Sequence, residues 1–322
     1  MTERALIDRL LRRARRHRDG QTVLGPGDDG ALIQSLPGGL VISTDSYFEG
    51  SHYQSAWLDP EQLGERCLGA ALSDLAAMGA LPRFYTLSLT LSGRETDDFV
   101  ERLGAGLGQT AQRYKVDLIG GDLTRASLQG LVITVLGTPL QGRVLSRGGA
   151  RAGDELWVSG QLGASAAGLD VLKANPRDRS ALSDGFRAVS PRILLGTTLA
   201  RMGIASAGID ISDGLVLDLH RLCEASGCGA QLDRRLLPVD PRVRRVAELM
   251  NQPVEPYVCY GGEDYELLFS VPPAMTEALN DVSDATSVRL TRIGRITKEK
   301  QVVDQRGNSL PRRGWDPFSE NS

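Results

Sequence analysis

The chain has 322 residues, 37 Lys plus Arg against 40 Asp plus Glu, a net charge of −3, 24% charged residues and 41% hydrophobic ones. That balance excludes disorder, collagen and coiled coil, and at about 150 residues per domain the length predicts two domains. A mildly acidic chain is a poor general binder of nucleic acid, where affinity rests on neutralising phosphates, and no apolar run reaches the ~20 residues of a membrane helix.

Residues 4–18 place Leu6, Leu10 and Ala14 at helical spacing, with six Arg between residues 9 and 18 on other faces, an amphipathic surface helix; Glu3 and Asp8 argue against a transit peptide. Next, Gly25-Pro26-Gly27-Asp28-Asp29-Gly30 spells G-x-G-x-x-G. It opens no clear helix, and its carboxylates stand where a bare pyrophosphate needs amides, so it reads as an Asp-rich turn unless cations lie between the charges. Residues 39–45 read as a strand ending in Asp45. Asp59-Pro60-Glu61 supplies a cap, a first-turn proline and a first-turn acid for a helix that runs to about Met78, where Gly79 closes it. Residues 84–91 read as a strand, 96–114 as a helix, 116–119 as a short strand running into Gly120-Gly121-Asp122, and 131–136 as another strand. A glycine-rich break at 147–154 sets the domain boundary, giving domains 1–147 and 148–322. Beyond it, 155–159 reads as a strand, 163–173, 191–202 and 213–225 as helices, the last ended by Gly227, and 265–271 as a strand. The pattern is mixed α and β, an α+β chain without the strict alternation of a doubly wound sheet.

The four cysteines, Cys67, Cys223, Cys228 and Cys259, form no C-x-x-C pair, and His17, His52 and His220 are too few and scattered for a zinc cage. The cysteines read as reduced and mostly buried, which suits a cytoplasm. With only four lysines, Lys115, Lys173, Lys298 and Lys300, no G-x-x-x-x-G-K-[ST] phosphate loop can be written.

The carboxylates carry the chemistry. Asp45 ends an apolar strand, Asp122 follows Gly120-Gly121, Asp210 and Asp213 flank Ile211-Ser212, and Asp74 lies inside a small, apolar helix. A buried carboxylate at Asp74 needs a partner, and no Lys or Arg stands one turn away. Singly, each acid reads as a cap or a turn. Together, each beside Gly, Ser or an apolar run, they point to a shared Mg²⁺–phosphate site, since hard oxygen ligands suit Mg²⁺. Glu263-Asp264 adds another acidic, glycine-led turn. Two readings stand side by side for three further residues: His52 is structural or functional, Arg147 is a solvated charge or a phosphate fork, and Trp315 is a packing anchor or a stacking platform.

Gly27-Asp28-Asp29-Gly30-Ala31, Ser43-Thr44-Asp45, Leu72-Ser73-Asp74-Leu75-Ala76-Ala77-Met78-Gly79-Ala80, Gly120-Gly121-Asp122-Leu123-Thr124-Arg125, Ile209-Asp210-Ile211-Ser212-Asp213-Gly214-Leu215 and Gly261-Gly262-Glu263-Asp264-Tyr265-Glu266-Leu267 occur in this order. Together they resemble the thiamine-monophosphate kinase family, part of the superfamily of aminoimidazole ribonucleotide synthetase, over nearly the whole chain. The resemblance implies an N-terminal α/β domain that pairs its sheet across a homodimer, and a C-terminal α+β domain that completes the ATP and substrate site. It implies ATP-dependent phosphorylation of thiamine monophosphate to thiamine diphosphate, with several Mg²⁺ ions and neither nucleic acid nor membrane as partner. Carried over by position, the Mg²⁺ ligands are Asp29, Ser43, Thr44, Asp45, Asp74, Asp122, Asp210 and Asp213, with Asp45, Asp122 and Asp210 central to catalysis. ATP also meets Gly121, Arg147 and Ser212, and the thiamine end meets His52, Glu263 and Trp315. Sister enzymes fit less well. Selenophosphate synthetase needs a reactive Cys or selenocysteine and a Lys near its N-terminus, where this chain has neither before Cys67 and Lys115. The hydrogenase maturation member ends in a Cys-bearing tail, where this chain ends Glu320-Asn321-Ser322. A non-catalytic Mg²⁺–nucleotide sensor on the same scaffold is the alternative from another class.

Overall fold

The computed structural model describes residues 38–315, together with residues 9, 10, 12, 13, 22–24 and 32–33. The Asp-rich turn with Asp28 and Asp29, His17, most of the expected helix over 4–18 and the tail beyond Trp315 lie outside the described residues. The chain divides into two compact units: Met1–Leu75 with Leu81–Gly142 and Arg187–Val189, and Ala76–Ala80 with Arg143–Phe186 and Ser190–Ser322. Strands β1 (Thr22–Leu24) and β2 (Leu32–Ile33) form a small antiparallel pair.

The first unit is built on a four-stranded sheet of β3 (Val41–Phe48), β4 (Ala80–Leu91), β5 (Asp117–Arg125) and β6 (Gly130–Pro139), in the order β3-β6-β4-β5. β3 pairs antiparallel with β6, and β4 pairs parallel with β5. Its helices are Pro60–Ala77, which begins where Asp59-Pro60-Glu61 puts it, and Asp97–Tyr114, capped by the Thr96 hydroxyl accepting the Phe99 amide at 3.2 Å. Leu131, Ile133 and Val135 of β6 are fully buried, and opposite them in the ladder stand Tyr47, Asp45 and Ser43. Opposed residues share a sheet face, so β3 turns Ser43, Asp45 and Tyr47 toward the covered side and Ile42, Thr44 and Ser46 toward the open side.

All four strands of this sheet run further than the sequence suggests: β4 begins at Ala80 rather than at residue 84, and β6 runs from Gly130 to Pro139. β3 continues through Ser46, Tyr47 and Phe48, all ladder partners of β6, so Asp45 sits mid-strand rather than at a strand end. β5 continues through Gly120-Gly121-Asp122 to Arg125, where the sequence suggests a strand only to residue 119. The cause is close approach: a Cβ at residue 121 would come within 2.0 Å of the Leu87 carbonyl oxygen on β4, so glycine is what lets this ladder close.

The second unit carries a six-stranded sheet in the order β12-β9-β11-β7-β10-β8, from β7 (Glu155–Ser159), β8 (Ala207–Asp210), β9 (Gly229–Leu232), β10 (Leu267–Val271), β11 (Leu290–Thr297) and β12 (Val302–Asp304). All neighbours are antiparallel except β12 with β9. Helices Ala164–Ala174, Ile193–Met202, Leu215–Ser226 and Pro241–Met250 accompany it, and Leu156, Val158, Ile209, Leu215, Leu219, Leu268 and Ile293 belong to one core. The fold is mixed α/β in both units. None of the four cysteines is in a disulfide; three are buried and Cys228 is half-buried. Among the described residues, no helix is long and apolar enough to cross a membrane.

Candidate active site

In the first unit, the Ser43 hydroxyl donates to the Asp74 carboxylate, which joins the middle of β3 to the helix Pro60–Ala77. Asp74 is half-buried and has this partner, where the sequence suggested a buried carboxylate in need of one. Two residues along β3, the Tyr47 hydroxyl donates to Asp45 Oδ2 at 3.1 Å. The Tyr47 ring meets His52 edge-on, with centroids 6.0 Å apart. His52 Nδ1 accepts the Phe48 amide at 3.1 Å, which leaves Nε2 to carry the proton of the neutral ring. Ser43, Asp45, Asp74 and His52 are thus linked through one short stretch of β3. Thr44 is not part of that set by its side chain: its hydroxyl lies on the other face, 3.0 Å from that of Thr134.

Asp122 is exposed on β5, opposite Ser88 of β4. β3 and β5 are the two edges of the sheet, three strand spacings or roughly 14 Å apart, so Asp45 and Asp122 of one chain do not grip the same ion. Among the described residues, no three His, Cys, Asp or Glu side chains lie close enough to form a ready-made metal cage. The donors present still fit Mg²⁺. Hydroxyl and carboxylate oxygens are its hard ligands, and it typically takes only one or two carboxylates, leaving the remaining positions to water and phosphate.

In the second unit, three segments meet by their main chains. From the segment 211–214, the Ser212 carbonyl accepts the Glu263 amide at 2.7 Å, the Ile211 carbonyl accepts the Tyr265 amide at 2.9 Å, and the Asp213 carbonyl accepts the Trp315 amide at 2.8 Å. A Cβ at residue 262 would come within 2.4 Å of the Ser212 carbonyl oxygen, so this contact requires Gly262. The junction brings Ser212 and Asp213 against the segments that carry Glu263 and Trp315, and the Trp315 side is 37% exposed. Asp210, only 3% exposed, ends β8 just before it. Arg147 is exposed on a loop braced by Ser226, whose hydroxyl donates to the Arg147 carbonyl at 2.8 Å and accepts the Gly149 and Ala150 amides.

Two carboxylates outside the expected set organise this junction. Asp218, fully buried, accepts the amides of Ser212, Asp213 and Gly214 at 3.1–3.2 Å through Oδ2. Its Oδ1 meets Arg221 Nη1 at 2.7 Å, and the same nitrogen lies 2.5 Å from Asp213 Oδ2. Asp264 accepts the amides of Gly163 at 2.8 Å and Ser165 at 3.4 Å at the start of the helix Ala164–Ala174. Neither Asp218 nor Arg221 stands out in the sequence; only the loop folded over them reveals their role.

Burial pushes the Asp218 carboxyl up to about 6 and the Asp264 carboxyl up to about 8. The folded chain therefore keeps protons that the unfolded chain has lost above pH ~4, so stability falls as pH rises toward 8. Asp264→Asn is expected to flatten the upper part of that decline, between pH 6 and 8, where one proton contributes at most about 1.4 kcal/mol per pH unit. Denaturant midpoints across that range check it; an unchanged slope contradicts it.

The residues 27–139 match the family model for the AIR synthase related protein, N-terminal domain, and 151–305 match that for its C-terminal domain. The thiamine-monophosphate kinase of Escherichia coli K12 is 37% identical, with 98% of each chain covered. The crystal structure of thiamine-monophosphate kinase from Stenotrophomonas maltophilia K279a superposes with a TM-score of 0.85 at 33% identity, covering 96% of this chain and 98% of that one. A structure of AaThiL complexed with AMPPCP and TMP superposes at 0.79 and 30% identity, with 90% of each chain covered.

Proposed function

Because this chain belongs to the thiamine-monophosphate kinase family of AIR synthase related proteins, we propose that its aspartates hold Mg²⁺ for direct phosphoryl transfer from ATP to thiamine monophosphate. The enzyme is a thiamine-phosphate kinase with ATP as co-substrate. The observation that carries the mechanistic reading is the main-chain junction that sets Ser212 and Asp213 against Glu263 and Trp315. In the first unit, side chains on β3 link Asp45 to His52 through Tyr47.

In the first unit Ser43, Asp45, Asp74 and Asp122 would serve as ligands, with Asp45 and Asp122 serving separate ions. In the second, Asp210 and Asp213 would serve; Thr44 and Asp29 complete the set that the resemblance implies. When bound, Mg²⁺ offsets the repulsion between two polyanions and the charge on the transferring group. Arg147 presents a planar fork suited to phosphate oxygens, and the Ser212 and Gly121 backbones offer close approach to ATP. Glu263 supplies negative charge for the cationic thiazolium ring, Trp315 a partly exposed face for stacking, and His52 an Nε2 donor. The acceptor is a phosphate monoester with a second pKa of ~6, already largely a dianion at neutral pH, so no side chain has to act as general base. The reaction is then an in-line displacement without a phosphoenzyme.

We place the homodimer contact on the open face of the N-terminal sheet, where Ile42 is 58% exposed beside its ladder partner Leu136. The experiment that tests the catalytic reading measures ADP release from ATP and Mg²⁺ with and without thiamine monophosphate. Release that depends on thiamine monophosphate and yields thiamine diphosphate is expected; ATP binding without turnover would leave the sensor reading in its place.

A further inference from the structure

We propose that Asp264 is a positioning residue for the thiamine end of the site: it fixes the turn at residues 262–265 so that Glu263 is presented to thiamine monophosphate. This rests on the assignment of Glu263 to that substrate.

Asp264 stands between two non-glycine residues in the left-handed region, Glu263 at φ 65 and Tyr265 at φ 51. Side chains with a Cβ rarely adopt that backbone, and two of them within three residues relax unless something holds them. On one side, the Glu263 and Tyr265 amides are held by the carbonyls of Ser212 and Ile211. Those bonds tie the turn to the segment it already lies along, and they leave the residue between them unfixed. The second restraint comes from Asp264, whose carboxylate takes the Gly163 and Ser165 amides and so ties the turn to a different element, the eleven-residue helix Ala164–Ala174. Gly163 is the N-cap and Ser165 lies in the first turn, positions whose amides have no partner within the helix, so the Asp264 carboxyl group satisfies them as a cap would. Downstream, the chain is pinned again where buried Glu266 accepts the Ser159 hydroxyl and pairs with Arg192. Glu263 is therefore the half-buried residue of a turn gripped on both sides. Strained backbone held this firmly is characteristic of places where a side chain has to be presented in one orientation.

The test is steady-state kinetics of the full-length enzyme at saturating Mg²⁺. Asp264→Ala is expected to raise KM for thiamine monophosphate about tenfold or more, with KM for ATP and kcat within about threefold of wild type. Asp264→Asn keeps an acceptor oxygen at the same reach and is expected to restore KM to within about threefold. Because the anchor acts through Glu263, Glu263→Ala combined with Asp264→Ala should be no worse than Glu263→Ala alone. Asp264→Ser shortens the reach and should show the same split at smaller size; it decides the matter where the alanine variant does not fold. The positioning role is overturned where Asp264→Ala multiplies onto Glu263→Ala, or raises both KM values alike. It is overturned alone where Glu263→Ala raises KM and Asp264→Ala does not; an unchanged KM in Glu263→Ala overturns the substrate assignment and the positioning role together.

Discussion

Replacing Asp45 by Asn is expected to lower kcat about 10²–10³-fold at saturating ATP and Mg²⁺. The substitution is nearly isosteric. It keeps an oxygen to accept from Tyr47 and leaves the β3–β6 ladder, which uses only the backbone at this position, untouched. What it removes is a negative charge on the covered face of β3, two residues from the Ser43–Asp74 pair. A carboxylate that only satisfied Tyr47 would be replaced almost without cost, since a neutral hydrogen bond contributes about 1 kcal/mol. A carboxylate that holds a divalent cation for two phosphorylated substrates is not replaceable by an amide. Comparison of kcat with the apparent Mg²⁺ affinity separates the two, and wild-type turnover by Asp45→Asn would remove Asp45 from the metal set.

Asp218→Ala is expected to destabilise the enzyme by about 3–5 kcal/mol and to lower kcat in whatever fraction folds. Three consecutive amides, those of Ser212, Asp213 and Gly214, converge on one oxygen of Asp218, and Arg221 sits on the other. Truncation leaves all four without this acceptor in a buried place, and the segment that carries Ser212 and Asp213 loses its template. Asp218→Asn keeps the oxygen for the amides and gives up the charge opposite Arg221, so the smaller loss is expected there. Thermal unfolding and single-turnover rates on the two variants check the order; equal stability of Asp218→Ala and wild type would contradict the buried-anchor role.

Much of the architecture was readable from local chemistry. Asp59-Pro60-Glu61 marks the start of the helix Pro60–Ala77, where Pro60 fixes φ and Glu61 supplies the first-turn acid. The same Asp-Pro signal at Asp240-Pro241 starts the helix Pro241–Met250, whose cap oxygen accepts the Arg242 amide and which buries Val243, Val246 and Ala247 at helical spacing. β7 matches its expected bounds residue for residue, while β9 and β12 are three or four residues long and too short for periodicity to reveal. At Gly120-Gly121 glycine marks no strand end: the closeness of the Leu87 carbonyl requires Gly121, while a side chain at residue 120 would meet open space. The acids at the second-unit junction were readable as a group, but the carboxylates that hold that group in place were not. Asp264 takes amides of a different element, and Asp218 takes amides of the loop just before its own helix, and neither role shows as a motif in the sequence.

The most direct measurement is calorimetric binding of thiamine monophosphate to enzyme saturated with a non-hydrolysable ATP analogue, in Mg²⁺ and again in chelator. With divalent cations between the two anions, binding is expected to be tight in Mg²⁺, to weaken by about tenfold or more in chelator, and to weaken similarly in Asp45→Asn. Equal affinity with and without Mg²⁺ would contradict the account, because two polyanions would then be sharing the site with no cation to reconcile them.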